Sequence, residues 1–558
     1  MNRLKGILLL FIFWYVQMVS AVQPIIPYPD SVRWEKGMVS LPKKWRVDCE
    51  QLFKKQFKQL VPLLFDGQAF SFKQGISADF SIIMDKAIPA EGYCLDAHGE
   101  RVVISASSDT GVFYAFQTLK QLLKKDVHGY SLPCVFIKDK PAYSWRGFML
   151  DEARNFQGKE EVKKLMDEMA ALKLNVFHWH LTDDQGWRVE IKKYPLLAEI
   201  GGRRDSTQMN WYESTVYDGK PVAGYYTQQD IREILAYAAE RHIQVIPEIE
   251  FPGHASAAIA AYPWLGCTAE KIAVPCSYGV FTSVFNVANQ QVRQFIYDVL
   301  DEVAALFPSE IIHIGGDEVK YVEWEASEEV RRFMKEQKID SPAGLQVWFT
   351  NALASYLKGK GKKMMGWNDI TGDKLHNYQT GNGTTGQLDP RNTLVQFWTG
   401  SQELLKKALQ KGFRIVNSQS KFAYLNYNYD KIVPGLEYEH TPIPMEKAYH
   451  FAPVPEGLAD KGGQILGLTC AMWGEWTSTP QIMYKMVYPQ IAAYAEAAWT
   501  KTESKDFVRF QKGLNYFLKR WTQKKYMCKP SFENSSYSFT SPFPENNEEE
   551  LKYSGIFL

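Results

Sequence analysis

The sequence predicts a (β/α)8 TIM barrel preceded by a small α+β domain. The chain has 558 residues, which suits one large domain beside a smaller one. From Trp145 onward, short apolar segments alternate with amphipathic helical patterns, which is typical of parallel sheets and barrels. Eight such segments occur, the strand number of a (β/α)8 barrel. A doubly wound open sheet is the alternative, but no Gly-x-Gly-x-x-Gly motif directly follows any segment.

The first residues predict a secretory signal peptide at residues 1–21. Arg3 and Lys5 precede the apolar run 6–16, and the small residues at 19–21 suit cleavage. The run is shorter than the about 20 apolar residues of a membrane span, although an uncleaved anchor remains the alternative. We therefore expect an exported protein, periplasmic or extracellular, with no stable membrane span after signal removal.

The charge balance argues against a nucleic-acid partner, whereas the aromatic content leaves open whether the protein binds sugars. With 64 basic and 63 acidic residues, no nucleic-acid partner is expected. Aromatic residues make up 14% of the chain, including 16 Trp. Aromatic rings pack against the apolar faces of sugars, but they also fill large cores, and composition does not separate the two.

Seven cysteines are few for an exported chain, and an odd number cannot all pair internally. Cys267 and Cys276 lie close in sequence and are the best candidates for a disulfide. Four others are expected to be small buried hydrophobic residues: Cys49, Cys94, Cys134 and Cys470. Because no Cys-x-x-Cys pair occurs, a structural zinc site is not expected.

Residues 22–140 predict the α+β accessory domain. Strands are expected at 80–84, 93–96 and 101–105, followed by a helix with Asp109 as its N-cap. Nothing in this part has catalytic spacing, so we interpret the domain as packing support.

Residues 141–505 predict the barrel, and residues 506–558 a terminal helix near 507–521 and a polar tail from Lys529. The helices between strands are expected at 159–172, 227–241 and 290–307 among others. Residues 371–392, rich in Gly, Asn, Thr and Gln, are expected to form a long surface loop after strand five. The eight barrel strands are predicted at 147–150, 175–181, 244–249, 311–314, 363–367, 394–398, 414–417 and 465–472.

Polar or aromatic side chains follow every predicted barrel strand. Because the carboxyl ends of the strands form the active-site face of such barrels, these side chains should meet in one ring. The adjacent acids of residues 313–318 (HIGGDE) could alone be a solvated turn, but their place in the ring favours a catalytic centre. The ring comprises Asp151, Arg154, Thr182, Asp183, Asp184, Glu248, Glu250, His254, Asp317, Glu318, Trp367, Trp398, Tyr424, Asn426, Trp473 and Glu475.

Seven segments, in order, resemble glycoside hydrolase family 20, the β-N-acetylhexosaminidases. The resemblance covers roughly residues 22–500, including an N-terminal domain similar to the one beside this family's barrel. The segments are 145–154 (WRGFMLDEAR), 177–184 (FHWHLTDD), 247–254 (PEIEFPGH), 313–318, 365–367 (MGW), 423–426 (AYLN) and 472–475 (MWGE).

The resemblance implies an exo-acting, retaining hydrolase that removes terminal β-linked GlcNAc or GalNAc by substrate assistance. The substrate's acetamido oxygen would attack the anomeric carbon and form an oxazolinium intermediate. Glu318 would protonate the leaving oxygen and later act as base, while Asp317 would orient the acetamido group. Tyr424 would donate its hydroxyl to the acetamido oxygen. Asp183 and His254 would form a relay that tunes proton transfer by Glu318.

The resemblance also assigns the residues that hold the sugar. Trp367, Trp398 and Trp473 would wall the pocket. Arg154 and Glu475 would hold the O3 and O4 hydroxyls, and Asn426 the outer hydroxyls. Two departures concern specificity: Asn368-Asp369 stands where many relatives carry Asp-Glu, and Asn426 where some carry Asp.

Three other functions remain open on the sequence. They are a disaccharide-releasing or endo-acting relative, a glycan-binding protein without turnover, and a metal-dependent deacetylase. His178 and His180 share one face of a strand, but no further His or Cys has ligand spacing. We therefore expect neither a metal nor another cofactor, and a carbohydrate as the binding partner.

Overall fold

The computed structural model describes residues 24–65, 68–73, 75, 78–125, 127, 129–380, 383–384, 386–427, 442–458 and 463–526. The predicted signal peptide and the polar tail from Lys529 lie outside these residues. The described residues form two compact units, one made of residues 24–140 with Glu503–Arg520, the other of Pro141–Thr502 with residues 521–526. Among the described residues, no helix combines the length and apolarity needed to cross a membrane.

The first unit is a mixed sheet with helices, as the sequence predicts. Its strands are ordered β1-β8-β5-β6-β4-β2-β3, with β7 paired to β8. The two long helices of residues 24–140 are α1 (Lys54–Leu64) and α2 (Asp109–Leu122). The strands are β1 (Ser31–Pro42), β2 (Lys44–Cys49), β3 (Ala69–Phe72), β4 (Phe80–Met84), β5 (Tyr93–His98), β6 (Arg101–Ala106), β7 (Lys124–Lys125) and β8 (Gly129–Asp139).

The N-cap of α2 differs from the prediction. Ser108, not Asp109, has extended backbone and accepts a hydrogen bond from the Gly111 N–H at 3.1 Å. Asp109 is already the first helical residue, where its carboxylate favours the positive end of the helix dipole.

The second unit is a closed parallel barrel, which confirms the predicted fold class. Its strands follow the order β10-β15-β16-β17-β18-β19-β20-β9, and each of the eight predicted strands coincides with an observed one. They are β9 (Trp145–Asp151), β10 (Val176–His180), β15 (Gln244–Glu248), β16 (Ile311–His313), β17 (Lys363–Trp367), β18 (Thr393–Phe397), β19 (Arg414–Asn417) and β20 (Ile465–Met472). The short strands outside the barrel are β11 (Thr182–Asp183), β12 (Gly186–Trp187), β13 (Arg203–Arg204) and β14 (Val222–Ala223).

Each barrel strand contributes one residue to a buried layer of apolar side chains. This layer closes the barrel interior as a packed core rather than a pore. Its members are Trp145, Val176, Ile246, Ile311, Met365, Leu394, Val416 and Leu466.

Helices follow most of the barrel strands, and three match their predicted ranges closely: α3, α5 and α7. Thr227 caps α5 in a capping box, accepting from the Asp230 N–H while Asp230 accepts from the Thr227 N–H. The helices of this part are α3 (Lys159–Ala171), α4 (Leu196–Glu199), α5 (Gln228–Ala239), α6 (Ser256–Ala261), α7 (Gln290–Leu306), α8 (Val322–Ala326), α9 (Glu328–Glu336), α10 (Pro342–Gly359), α11 (Gln402–Gln410), α12 (Ser420–Ala423), α13 (Met445–Tyr449), α14 (Pro480–Val487) and α15 (Gln490–Trp499).

The terminal helix α16 (Phe507–Gln523) forms where the sequence predicts it. Its residues up to Arg520 belong to the first unit. There the Arg509 guanidinium lies 3.8 Å from the ring centre of Tyr28.

The predicted disulfide is wrong, because Cys267 and Cys276 are both free thiols. Although they are close in sequence, the backbones of the two cysteines hydrogen-bond to different residues. The backbone at Cys267 hydrogen-bonds to Glu323, whereas the Cys276 carbonyl accepts from the Gln208 N–H at 2.8 Å. Of the four cysteines expected to be buried, only Cys94 is half-buried instead.

Candidate active site

The predicted ring of side chains converges at the carboxyl ends of the barrel strands. Four aromatic rings form one continuous wall. The ring centres of Trp367 and Trp473 lie 5.7 Å apart, those of Tyr424 and Trp473 6.0 Å apart. Trp398 stacks nearly parallel to Tyr424, with ring centres 6.3 Å apart. Tyr424 is held in place by a parallel bridge to Ala471 of β20.

Two glycines let the chain turn from β16 into the acidic pair. Gly315 has φ +63°, and a Cβ there would lie 1.7 Å from the Glu250 carboxylate. Gly316 has φ +87°, and its Cβ would lie 2.5 Å from Ile370. Only glycine tolerates both the backbone conformation and the close approach.

We expect Gly315→Ala to lower the free energy of unfolding by about 3 kcal/mol, because strained backbone and overpacking add. Gly361→Ala is the matched control, since Gly361 has φ +73° but a Cβ added there would meet no atom within 4 Å. It should cost about 1 kcal/mol, for the backbone alone. Equal losses in urea unfolding would show that the contact with Glu250 does not matter.

Asp317 and Glu318 are adjacent but differ in environment. The side chain of Asp317 is 9% exposed and that of Glu318 is 20% exposed. Glu318 has φ +51°, and its N–H donates to Asp369 Oδ1 at 3.2 Å. The pKa of Asp317 is raised to about 8, chiefly by burial. Nearby carboxylates also raise this pKa, whereas His254 lowers it. A positive charge next to Asp317 would therefore strongly stabilise its ionised carboxylate.

A chain of ionisable side chains reaches the acidic pair from inside the barrel. His180 contacts Glu248 at 2.6 Å and Asp183 at 3.0 Å. Asp183 in turn lies 3.2 Å from His254 Nδ1, and His254 Nε2 lies 3.6 Å from Glu318 Oε2. Burial opposes a charge on His254, but Asp183 and the other carboxylates around it raise its pKa well above the usual range. The structure thus brings together the predicted relay residues.

Arg154 is buried and Glu475 is half-buried, and the two oppositely charged groups lie close enough for Arg154 to lower the pKa of Glu475. The Arg154 guanidinium contacts Asp183 at 2.8 Å and Asp151 at 3.1 Å, and lies 5.1 Å from the Trp473 ring centre. Burial raises the pKa of Glu475 to about 7, although Arg154 lowers it. Asn426 is buried. These groups can donate to and accept from sugar hydroxyls.

Asp369 and His376 take part in the site through contacts that the sequence did not predict. The Asp369 carboxylate accepts from Trp398 Nε1 at 2.8 Å and bonds His376 Nε2 at 2.7 Å. His376 belongs to residues 371–392, the predicted surface loop, and is one of the few side chains of that segment that turn inward and are buried. The sequence could have identified Asp369 as a site residue, because Asp369 follows a barrel strand. It could not have identified His376, because the segment around His376 has no helix or strand periodicity.

Glu248 is the centre of another group of contacts, next to Trp367 of the aromatic wall. It accepts from Trp367 Nε1 at 2.7 Å and contacts His313 Nδ1 and His178 Nε2, each at 2.9 Å. The nitrogen and oxygen atoms of His178, Glu248 and His313 lie within 4.8 Å of one another, the spacing of a metal-ligand group. The hydrogen bonds from Trp367 and His180 already use both Glu248 oxygens. Glu248 therefore serves to fix the indole of Trp367.

Comparisons with known proteins agree with the resemblance in the sequence. The model of glycosyl hydrolase family 20, catalytic domain, matches residues 143–502, and that of the family's domain 2 matches residues 22–140. A β-hexosaminidase of Porphyromonas gingivalis is 38% identical over 443 residues, which are 77% of this chain and 54% of that protein. The chain thus spans about half the length of this relative. A β-hexosaminidase of Vibrio furnissii is 34% identical over 85% of this chain and 76% of its own.

Solved structures give the same result. The β-N-acetylhexosaminidase of Bacteroides fragilis has a TM-score of 0.77 at 31% identity, covering 90% of this chain and 96% of its own. A family 20 exo-β-N-acetylglucosaminidase of Vibrio harveyi, in complex with N-acetylglucosamine, has a TM-score of 0.77 at 30% identity, covering 90% and 78%. The fold, the order of the site residues and the family match over most of the barrel agree, and this chain belongs to glycosyl hydrolase family 20.

Proposed function

We propose that this chain is an exo-acting β-N-acetylhexosaminidase, a retaining hydrolase that removes terminal β-linked GlcNAc or GalNAc by substrate-assisted catalysis. One observation carries the proposal. Adjacent carboxyl groups lie in different surroundings, Asp317 buried within the pocket and Glu318 more exposed, each within 4 Å of His254. This division suits two separate tasks at one reaction centre. The relatives named β-hexosaminidase support the same activity.

Glu318 is the proton donor in this proposal. It protonates the leaving oxygen while the acetamido oxygen of the substrate attacks the anomeric carbon. Water then opens the oxazolinium intermediate with Glu318 as base, and two inversions leave the configuration retained. The φ of +51° and the bond from its N–H to Asp369 hold Glu318 at its position. His254, bridging towards Asp183, places a positive charge beside the pair.

Asp317 orients the acetamido nitrogen and balances the charge that develops there. Because burial raises the pKa of Asp317, the carboxylate gains most when the positive charge of the oxazolinium appears next to it. An interaction that strengthens along the reaction lowers the barrier, whereas one that is constant does not.

The remaining groups hold the sugar and exclude water. Tyr424 donates to the acetamido oxygen, and the indoles of Trp367, Trp398 and Trp473 enclose the acetyl methyl group and the ring. Two hydrogen bonds fix two of these indoles, from Trp367 to Glu248 and from Trp398 to Asp369. Arg154 and Glu475 bind the O3 and O4 hydroxyls, with Asn426 at the outer hydroxyls. A non-reducing end held in this way suits exo action.

We also propose that the protein is exported. The basic and then apolar N-terminus, with small residues at 19–21, supports a signal peptide. The enzyme would then act on glycans in the periplasm or outside the cell.

A thiazoline that mimics the bicyclic intermediate should inhibit competitively, at least 10²-fold more tightly than GlcNAc binds. The reason is that the mimic presents the charge and shape that Asp317 and the indoles are arranged to hold. Inhibition constants for both compounds, measured against a 4-nitrophenyl N-acetylglucosaminide, test this. Equal constants would argue against substrate assistance.

Product analysis on a labelled chito-oligosaccharide separates the proposal from its nearest alternative. Exo action releases GlcNAc from the non-reducing end at every stage. Release of disaccharides or internal fragments would indicate the disaccharide-releasing or endo-acting relative instead.

A further inference from the structure

The hydroxyl oxygen of Tyr378 is buried and, among the residues that the structure describes, accepts or donates no hydrogen bond. Buried polar atoms in folded proteins almost always have a partner, and an exception calls for an explanation such as a ligand. Tyr378 lies in the segment after β17 and has itself no role in the chemistry proposed above. The unpartnered hydroxyl therefore points to a bound group.

The ring of Tyr378 is held firmly beside the proton donor. It stacks on His376, with ring centres 5.0 Å apart and planes 2° apart. His376 bonds Asp369, which accepts from the Glu318 N–H. The Lys320 ammonium, two residues from Glu318, lies 5.5 Å from the Tyr378 ring centre. Contacts on both sides thus connect the ring to the segment that carries Glu318.

Tyr378 lies on the side of the site that carries Asp369 and the Glu318 segment, because its ring stacks on His376, which bonds Asp369, and lies close to the Lys320 ammonium. Burial raises the pKa of Tyr378 well above its usual range, and Glu318, Asp369 and Asp317 raise it further. Since Glu318 protonates the leaving oxygen, a group beside Glu318 lies next to the leaving group.

We propose that Tyr378 binds the sugar unit that leaves, through a hydrogen bond between its phenol hydroxyl and a hydroxyl of that unit. A phenol both donates and accepts, as a sugar hydroxyl does. A leaving group without hydroxyls would leave this buried phenol without a partner, and the enzyme would therefore disfavour such a leaving group. This inference rests on the proposed function and adds a preference for sugar leaving groups over apolar ones.

The test compares two substrates that share the terminal GlcNAc and differ in the leaving group. Chitobiose releases a sugar, and 4-nitrophenyl N-acetylglucosaminide releases a phenol without sugar hydroxyls. Tyr378→Phe keeps the ring and its stacking on His376. We expect the ratio of kcat/KM for chitobiose to that for the aryl substrate to fall about tenfold, the effect of one lost hydrogen bond.

Tyr321→Phe is the matched control. Tyr321 is also buried near this segment, but its hydroxyl already donates to Gln346 Oε1 at 2.7 Å. Its ratio should stay within about twofold of the wild type. Thermal unfolding of Tyr378→Phe adds a second readout, because an unpartnered hydroxyl gives the fold nothing and the melting temperature should not drop.

Three results would overturn the inference. They are an unchanged ratio in Tyr378→Phe, an equal loss on both substrates, and the same change of ratio in Tyr321→Phe. Failure of the proposed function has a different signature, namely a folded wild-type protein that hydrolyses neither substrate, and the inference would then fall with it.

Discussion

Replacing Glu318 by Gln should lower kcat for chitobiose by roughly 10²–10⁴-fold, the range that a positioned general acid contributes. Gln has the same shape and cannot give up a proton. The N–H of residue 318 would still donate to Asp369, so the backbone turn should persist. Because protonation matters less for a better leaving group, the loss should shrink from chitobiose to a 4-nitrophenyl and then to a dinitrophenyl substrate.

Steady-state kinetics across these three substrates measure that trend. Glu310→Gln is a suitable control, because Glu310 directly precedes the same strand and its side chain is 74% exposed. It should leave kcat close to the wild-type value. Wild-type activity in Glu318→Gln would remove Glu318 as proton donor, and an equal loss on every substrate would indicate a structural role.

The barrel could be predicted because each strand is a short apolar segment between turns. Once eight parallel strands are inferred, topology places their carboxyl ends on one face. Residues as distant as Arg154 and Glu475 could therefore be expected to meet, although nothing in the sequence links them. The structure places Arg154 close enough to lower the pKa of Glu475.

Features that depend on irregular backbone could not be predicted in this way. His376 and Tyr378 lie in a polar segment without helix or strand periodicity, so no pattern shows which side chains turn inward. The sequence proximity of Cys267 and Cys276 likewise says nothing about which neighbours their loop contacts. At α2, Ser108 and Asp109 are both good capping residues, and only the backbone angles decide between them.

Replacing Asp317 by Asn should have two opposite effects, a loss of activity and a gain in stability. Activity should fall by roughly 10²–10³-fold, the cost of removing one preorganised electrostatic group. Asn keeps the size of the side chain but cannot balance the charge of the oxazolinium. Thiazoline binding should weaken in the same variant, because the mimic relies on the same carboxylate. Unchanged kcat and unchanged thiazoline affinity would contradict the role of Asp317.

The gain in stability follows from burial. The pKa of Asp317 is about 8 in the folded protein and about 3.9 in an unfolded chain. Between these values the folded state keeps a proton that the unfolded state has lost. Because stability falls with pH wherever the folded state binds more protons, Asp317 increasingly destabilises the wild type as the pH rises from about 4 to about 8. An active site that costs stability is a common trade-off.

Asp317→Asn removes this pH-dependent cost. Its free energy of unfolding should exceed that of the wild type by about 2 kcal/mol at pH 7, and the difference should grow between pH 5 and pH 8. Urea unfolding at several pH values measures the difference. Asp205→Asn is the control, because the Asp205 side chain is 88% exposed and should give no pH-dependent gain. If Asp317→Asn were less stable than the wild type throughout this range, Asp317 would be a structural residue, and its burial would serve the fold instead of the charge that forms beside it during catalysis.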